Sequence, residues 1–246
     1  MDHPLVKYES RDGVAVITLN RPEKRNAINN EVALALYDAF ERLNAGEDCV
    51  GVLTHAGEHF TGGADIKAPP EDFARCVPGV GIMLAKPLIA AVGGWVVGAG
   101  VVLVQMCDLC VAAEDTRFMF PEAKVGVTGA IIAGLAARIP HKVAMELMLL
   151  GDEVGAERMY QVGLVNKLVP AGKQLEAALD YARRLAGNAP LVLSILRDFV
   201  GRVIPKGPSE VAAQGRLAIA RVRQSDDAKE GVASFKEKRK PKFKGK

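Results

Sequence analysis

The segment "GVAVITLN", residues 13 to 20, alternates and is rich in β-branched side chains, which predicts a strand. In the following "RPEKRNAINNEVALALYDAFERLN", Val32, Leu36, Phe40 and Leu43 recur at helical spacing behind Asn29 or Asn30, either of which suits an N-cap. "CVGVLTHAG" is a second strand, and the glycine-containing "EHFTGGADIK" leads to an expected helix over 71 to 84. "PLIAAVGG" predicts a strand, "GAGVVLVQM" a short buried helix, "DLCVAAE" a strand and "RFMF" a further short one. Repeated strand, turn and helix units with largely continuous apolar strands predict an α/β core. Beyond residue 128 the pattern turns helical, at 129 to 139, 141 to 150, 155 to 162, 173 to 187, 190 to 203 and 208 to 223, with one short "LVNKLV" strand. The expected division is an α/β body over 1 to 190 and a helical carboxy-terminal region over 191 to 246. No low-complexity segment and no fixed-period repeat interrupts it.

One stretch competes with this pattern. "PLIAAVGGWVVGAGVVLVQM", residues 87 to 106, carries no charge over twenty residues, the length of a bilayer span. Gly93, Gly94, Gly98 and Gly100 divide it, and strand, turn and buried helix is the better reading. No membrane association is expected. A chain of 246 residues, 49% hydrophobic and 25% charged, is long enough for a sizeable core.

Charge changes the picture at one end only. Residues 236 to 246, "KEKRKPKFKGK", hold seven Lys or Arg against one Glu. That local +6 leaves −3 on the rest of a chain whose total is +3. Such a tail suits a polyanion, nucleic acid and anionic membrane included, or is a solvated, frayed terminus. Four cysteines without disulfide-framework spacing imply a reducing compartment. Cys107 and Cys110 form a lone CxxC with no second ligand pair, so no metal is expected and "CDLC" reads as strand. The amino terminus has neither signal nor transit character, which makes the cytoplasm the expected location.

Two glycine turns follow apolar strands, "FTGGADIK" at 60 to 67 and "GGWVVGAG" at 93 to 100. Brought together, their outward backbone N–H groups would form an oxyanion hole; taken singly, the same glycines serve tight strand–helix packing. "GWVVGAG" lacks the spacing of a dinucleotide fingerprint, and no P-loop occurs. Among four histidines and five serines there is no nucleophile elbow. Glu122, in "RFMFPEAKVGV", stands among Phe118, Met119, Phe120, Val125 and Val127. Desolvation would raise its pKa and suit it to proton transfer near neutral pH; the other reading is an acidic residue supporting a turn or helix start.

Together, "VAVITLNRPEKRNAI", "FTGGADIK", "KPLIAAVGGWVVGAG", "MCDLCVAAEDTRFMFPEAKVG" and "EGVASFKEKRKPKF" resemble the crotonase superfamily, the enoyl-CoA hydratase/isomerase family, over nearly the full chain. The resemblance implies a spiral of ββα units closed by a helical region that assembles trimers, usually paired into hexamers. It also implies an acyl-CoA thioester as substrate, with no cofactor beyond that coenzyme A and no nucleic acid. It assigns the oxyanion donors to the backbone N–H groups of Ala64 and Ala99. Coenzyme A contacts fall to Lys24, Arg25, Ala27 and Ile28, to Ala64, Asp65, Ile66 and Lys67, and to Ala99. Phe235 and Lys238 match tail residues that reach a neighbouring subunit's coenzyme A.

One departure bears on the chemistry. Hydratases of this family set two glutamates over the substrate, twenty positions apart. The later position is Glu122, but the earlier is Val102, and the glycine-rich run that usually follows reads "VGVTGAIIAG". Adding water across a conjugated thioester uses a base and an acid, whereas moving a double bond needs one group to carry a proton between carbons. An isomerase-like single-glutamate shuttle is therefore expected ahead of one-glutamate hydration. A non-catalytic acyl-CoA-binding paralogue is the third reading.

Overall fold

The computed structural model describes residues 3–127 and 129–245. Among the described residues nine strands follow in chain order: β1 (Val6–Arg11), β2 (Val14–Leu19), β3 (Val50–His55), β4 (Leu88–Val92), β5 (Trp95–Val97), β6 (Leu109–Ala113), β7 (Arg117–Met119), β8 (Val154–Gly155) and β9 (Lys167–Val169). The helices are α1 (Asn30–Ala45), α2 (Ala99–Gln105), α3 (Glu122–Val125), α4 (His141–Leu150), α5 (Ala156–Gln161), α6 (Gln174–Ala186), α7 (Pro190–Val203), α8 (Pro208–Gln224) and α9 (Asp226–Lys236).

The main sheet runs β1-β2-β3-β4-β6-β9, antiparallel at β1–β2 and parallel elsewhere. Its interior strands are apolar on both faces because both are covered. Ile17, Leu19, Leu53, Ala90 and Val92 pack with α1 and α2, while Val14, Val50, Val52, Ile89, Ala91 and Val111 pack with Ala178 and Ala182 of α6. Asn29 caps α1, its side chain accepting from the Val32 amide. The smaller sheet, β5-β7-β8, lies at the carboxyl ends of the main strands and carries the chain into α2 and α3.

The α/β expectation holds, with local corrections. β1 was not expected, since four of the six residues of "VKYESR" are polar; Asp12 and Gly13, both at positive φ, fold it onto β2 as a hairpin. The helix expected over 71 to 84 is a single 3₁₀ turn, Phe73–Cys76. Pro78 offers no N–H there, and the chain doubles back so tightly that a Cβ on Gly81 would fall 2.2 Å from the Ala74 carbonyl oxygen. Over 129 to 139 the winding is likewise 3₁₀, Ala130–Ala137. α9 was missed altogether, although Ser225 caps it by accepting from the Ala228 amide. "CDLC" does enter a strand, where burial pushes the Cys110 thiol up to about 12. Among the described residues no helix is long and apolar enough to cross a membrane.

His55 ends β3 with its ring edge-on to Phe60 at 6.0 Å. Burial pushes its pKa down from 6.5 to about 4. Between those values the unfolded chain takes up a proton that folded His55 does not, so stability falls as pH drops from about 6.5 to 4. In urea titrations across that window His55→Leu is expected to flatten the slope.

Candidate active site

Two turns meet because Thr61, in the loop after β3, forms an isolated bridge with β5. Thr61 pairs in parallel with Val96 of β5, its N–H donating to the Trp95 carbonyl at 3.0 Å and its carbonyl accepting from the Val97 N–H at 3.1 Å. The turn after Thr61 therefore runs beside the turn after Val97. Gly63, at φ +94, passes so close that a Cβ there would lie 3.1 Å from the Val97 carbonyl oxygen. Gly100 has no room either, a Cβ reaching 2.5 Å from the Thr61 methyl.

A third segment braces the first turn. Ile28 bridges Ala64 in parallel, its N–H donating to Gly63 and its carbonyl accepting from Asp65. The Ala64 N–H therefore points away from the residue-28 strand, and it makes no hydrogen bond among the described residues. Ala99 is the first residue of α2, so its N–H is one of the donors a helix leaves unused. The two amides assigned to the oxyanion hole thus belong to adjoining turns, and both are free.

Glu122 arrives by the same construction. β7 pairs in parallel with β5, Met119 opposite Val97, and the Met119 carbonyl accepts from the Gly98 N–H at 2.9 Å. Each strand then turns into a helix, α2 through Gly98 and α3 through Pro121. Glu122 consequently comes to rest on Gly98, where a Cβ would be 2.5 Å from its Oε1. Gly98 has φ 49 and ψ −105, a conformation suited to glycine. Oε2 of Glu122 is buried without a hydrogen-bond partner. Burial raises the carboxyl pKa above its usual value, with an opposing pull from its own backbone amide.

Val102 lies one helical turn beyond Gly98, its N–H bonded to the Gly98 carbonyl, and is 5% exposed within the core. The earlier position therefore carries a buried hydrocarbon side chain and no carboxylate.

The other expected contact residues divide. Lys24 and Arg25 are exposed on the loop before α1, and Ala27 is half-buried. Ile28 is fully buried and its N–H is spent on the bridge, so only the second lone pair of its carbonyl remains for a ligand. Ile66 is 91% exposed beside the exposed Lys67, while Asp65 is engaged by Arg21 at 2.7 Å. These residues sit together around the first turn. Phe235 and Lys238 do not join them: they lie at the end of α9, which packs on α8.

Sequence reading missed two residues that hold the turn. Asn26, 1% exposed at φ 52, accepts from the Arg21 N–H and donates to the Ala56 and His59 carbonyls. Arg21 bridges the Ala27 carbonyl and the Asp65 carboxylate. An Asn within "EKRNAI" was a hint, since Asn tolerates the left-handed region; nothing local announced Arg21.

The model of the enoyl-CoA hydratase/isomerase family matches residues 9–76 and 81–246. The chain is 36% identical to enoyl-CoA hydratase EchA19 of Mycobacterium tuberculosis, covering 98% of this chain and 96% of that one. It is 34% identical to the 2,3-dehydroadipyl-CoA hydratase of Escherichia coli over the whole of both. Among solved structures, enoyl-CoA hydratase EchA1 from Mycobacterium marinum superposes with a TM-score of 0.76 at 39% identity, covering 99% and 100% of the two chains. With this match along nearly its entire length, the chain belongs to the enoyl-CoA hydratase/isomerase family of the crotonase superfamily.

Proposed function

We propose that the protein processes an acyl-CoA thioester through an enolate, with the Ala64 and Ala99 amides receiving the thioester oxygen and Glu122 as the single acid/base. The observation that carries this reading is the seat of Glu122 on Gly98, immediately before the Ala99 amide, with one carboxylate oxygen buried and unpartnered. A base so placed removes the α-proton as negative charge gathers on the oxygen. Returned at the γ-carbon, that proton moves the double bond. Val102 supplies no second carboxylate, which favours this shuttle over hydration. Coenzyme A enters as part of the substrate, held at Lys24, Arg25, Ala27, Ile28 and 64 to 67 of one copy and at Phe235 and Lys238 of a neighbouring copy, and the proton transfer requires no other cofactor.

Hydration of a 2-enoyl-CoA by one glutamate is the second reading, and the names of the relatives favour it, being those of hydratases. Turnover of matched 3-enoyl-CoA and 2-enoyl-CoA substrates separates the two. Faster loss of the 3-enoyl ester supports the shuttle, whereas faster formation of a 3-hydroxyacyl ester overturns it in favour of hydration.

The proposal extends to assembly. None of the α7 residues is buried, and Leu191, Leu196, Phe199, Val200 and Val203 are all exposed. Such a continuous apolar face needs a cover, here further copies of the chain as a trimer or a pair of trimers. Light scattering is expected to give three or six chains per particle, and Leu196→Glu with Phe199→Glu is expected to give monomer.

A further inference from the structure

The basic tail is a folded part of the molecule. The chain reverses after α9 at Lys238, whose φ is 52, and residues 239 to 245 run back along the helix they have just left. Glu230 receives Arg239 as a fork, Nη1 donating to Oε1 and Nη2 to Oε2, and Oε1 also accepts from the Lys242 N–H at 2.8 Å. Nearer the start of α9, both oxygens of Asp227 accept backbone N–H groups, from Lys244 at 2.6 Å and Gly245 at 2.8 Å. The Phe243 ring lies over Gly231, 3.7 Å from where a Cβ would stand. Arg239, paired with Glu230 and Glu237, is neutralised. Lys236, Lys238, Lys240, Lys242 and Lys244 form no ion pair among the described residues.

A single guanidinium thus helps to fix the reversed backbone that carries Lys240, Lys242 and Lys244, with the 85% exposed Phe235 one turn before the reversal. Like charges on a loose tail would spread apart; here two carboxylates hold their backbone in place. Preorganising them removes much of the ordering cost that a flexible tail meets on binding. We propose that Glu230, supported by Asp227, is a positioning residue for the nucleotide end of coenzyme A. It acts without touching ligand, by holding the reversal at which Lys238, just past Phe235 at the end of α9, is presented to the phosphates. This rests on the coenzyme A contact proposed for those two residues, and it adds the device that makes the contact rigid.

The test uses Glu230→Gln in the assembled protein, with two ligands: coenzyme A by calorimetric titration, and matched enoyl thioesters of coenzyme A and of pantetheine, which lacks the nucleotide, by turnover. Losing the charged fork is expected to weaken coenzyme A binding about tenfold and to raise KM for the coenzyme A ester similarly. The kcat and the turnover of the pantetheine ester stay unchanged. Disturbance of the fold at large would lower both esters together, and that result, or unaltered coenzyme A affinity, overturns the proposal. Wild-type binding of coenzyme A without turnover of either ester removes the enzymatic reading and leaves the latch to be decided by the titration. No coenzyme A binding by the wild type overturns both.

Discussion

Glu122→Gln is expected to lower conversion of a 3-enoyl-CoA by about 10²- to 10⁴-fold, the range general acid/base catalysis contributes. Substrate affinity should change little, because the oxyanion donors are backbone amides and the nucleotide contacts lie elsewhere. The pH profile sharpens the expectation. Glu122 must be ionised to take the α-proton, so the rate rises with pH through its folded pKa, which burial sets above the usual 4.5. In the Gln variant that limb disappears. Stability moves the other way: a raised carboxyl pKa means that the folded state disfavours the charge, and folding loses stability as pH rises through it. The variant should therefore melt no lower than the wild type near neutral pH. Kinetics against pH and a thermal scan check the two halves, and a cold, inactive variant that also unfolds early would point to a structural carboxylate.

Gly98→Ala is the second large effect. At φ 49 and ψ −105 an alanine is strained, a cost of about 1–3 kcal/mol. Its methyl would also stand 2.5 Å from Glu122 Oε1, forcing the carboxylate off its seat beside the Ala99 amide. Activity is expected to fall far more than that stability loss explains. Measured at a temperature where the variant is fully folded by circular dichroism, activity should remain at least tenfold down, since small displacements of a reacting group are costly. Full activity in the folded variant would separate Gly98 from the site.

The relation between sequence and structure differs by element. The apolar runs of β2, β3, β4 and β6 were legible because burial on both faces leaves them no polar positions. β5 and β8 were not, since Trp95–Val97 is enclosed between glycine turns and Val154–Gly155 is only two residues, and each is made by pairing with β7 rather than by its own pattern. The region between Pro70 and Ala85 has helical composition but is folded by Pro78, Gly79 and Gly81 into turns that depend on contacts with Ala74, Arg75 and Met106. Within the site, the glycines and Glu122 were visible as residues. Their meeting was not, because it comes from the Thr61–Val96 bridge and the β5–β7 pairing, neither of which has a local signature. Val102 was the reverse case: its position in the pattern was plain, and the fold adds only that it is buried.

The question that matters most is whether Glu122 moves a proton at the α-carbon of a thioester held by these two turns. The most direct measurement is nuclear magnetic resonance of an acyl-CoA incubated with the protein in deuterium oxide. Deuterium should appear at the α-carbon with the wild type and not with Glu122→Gln. Equal incorporation by both proteins, or none by either, would contradict the role assigned to Glu122.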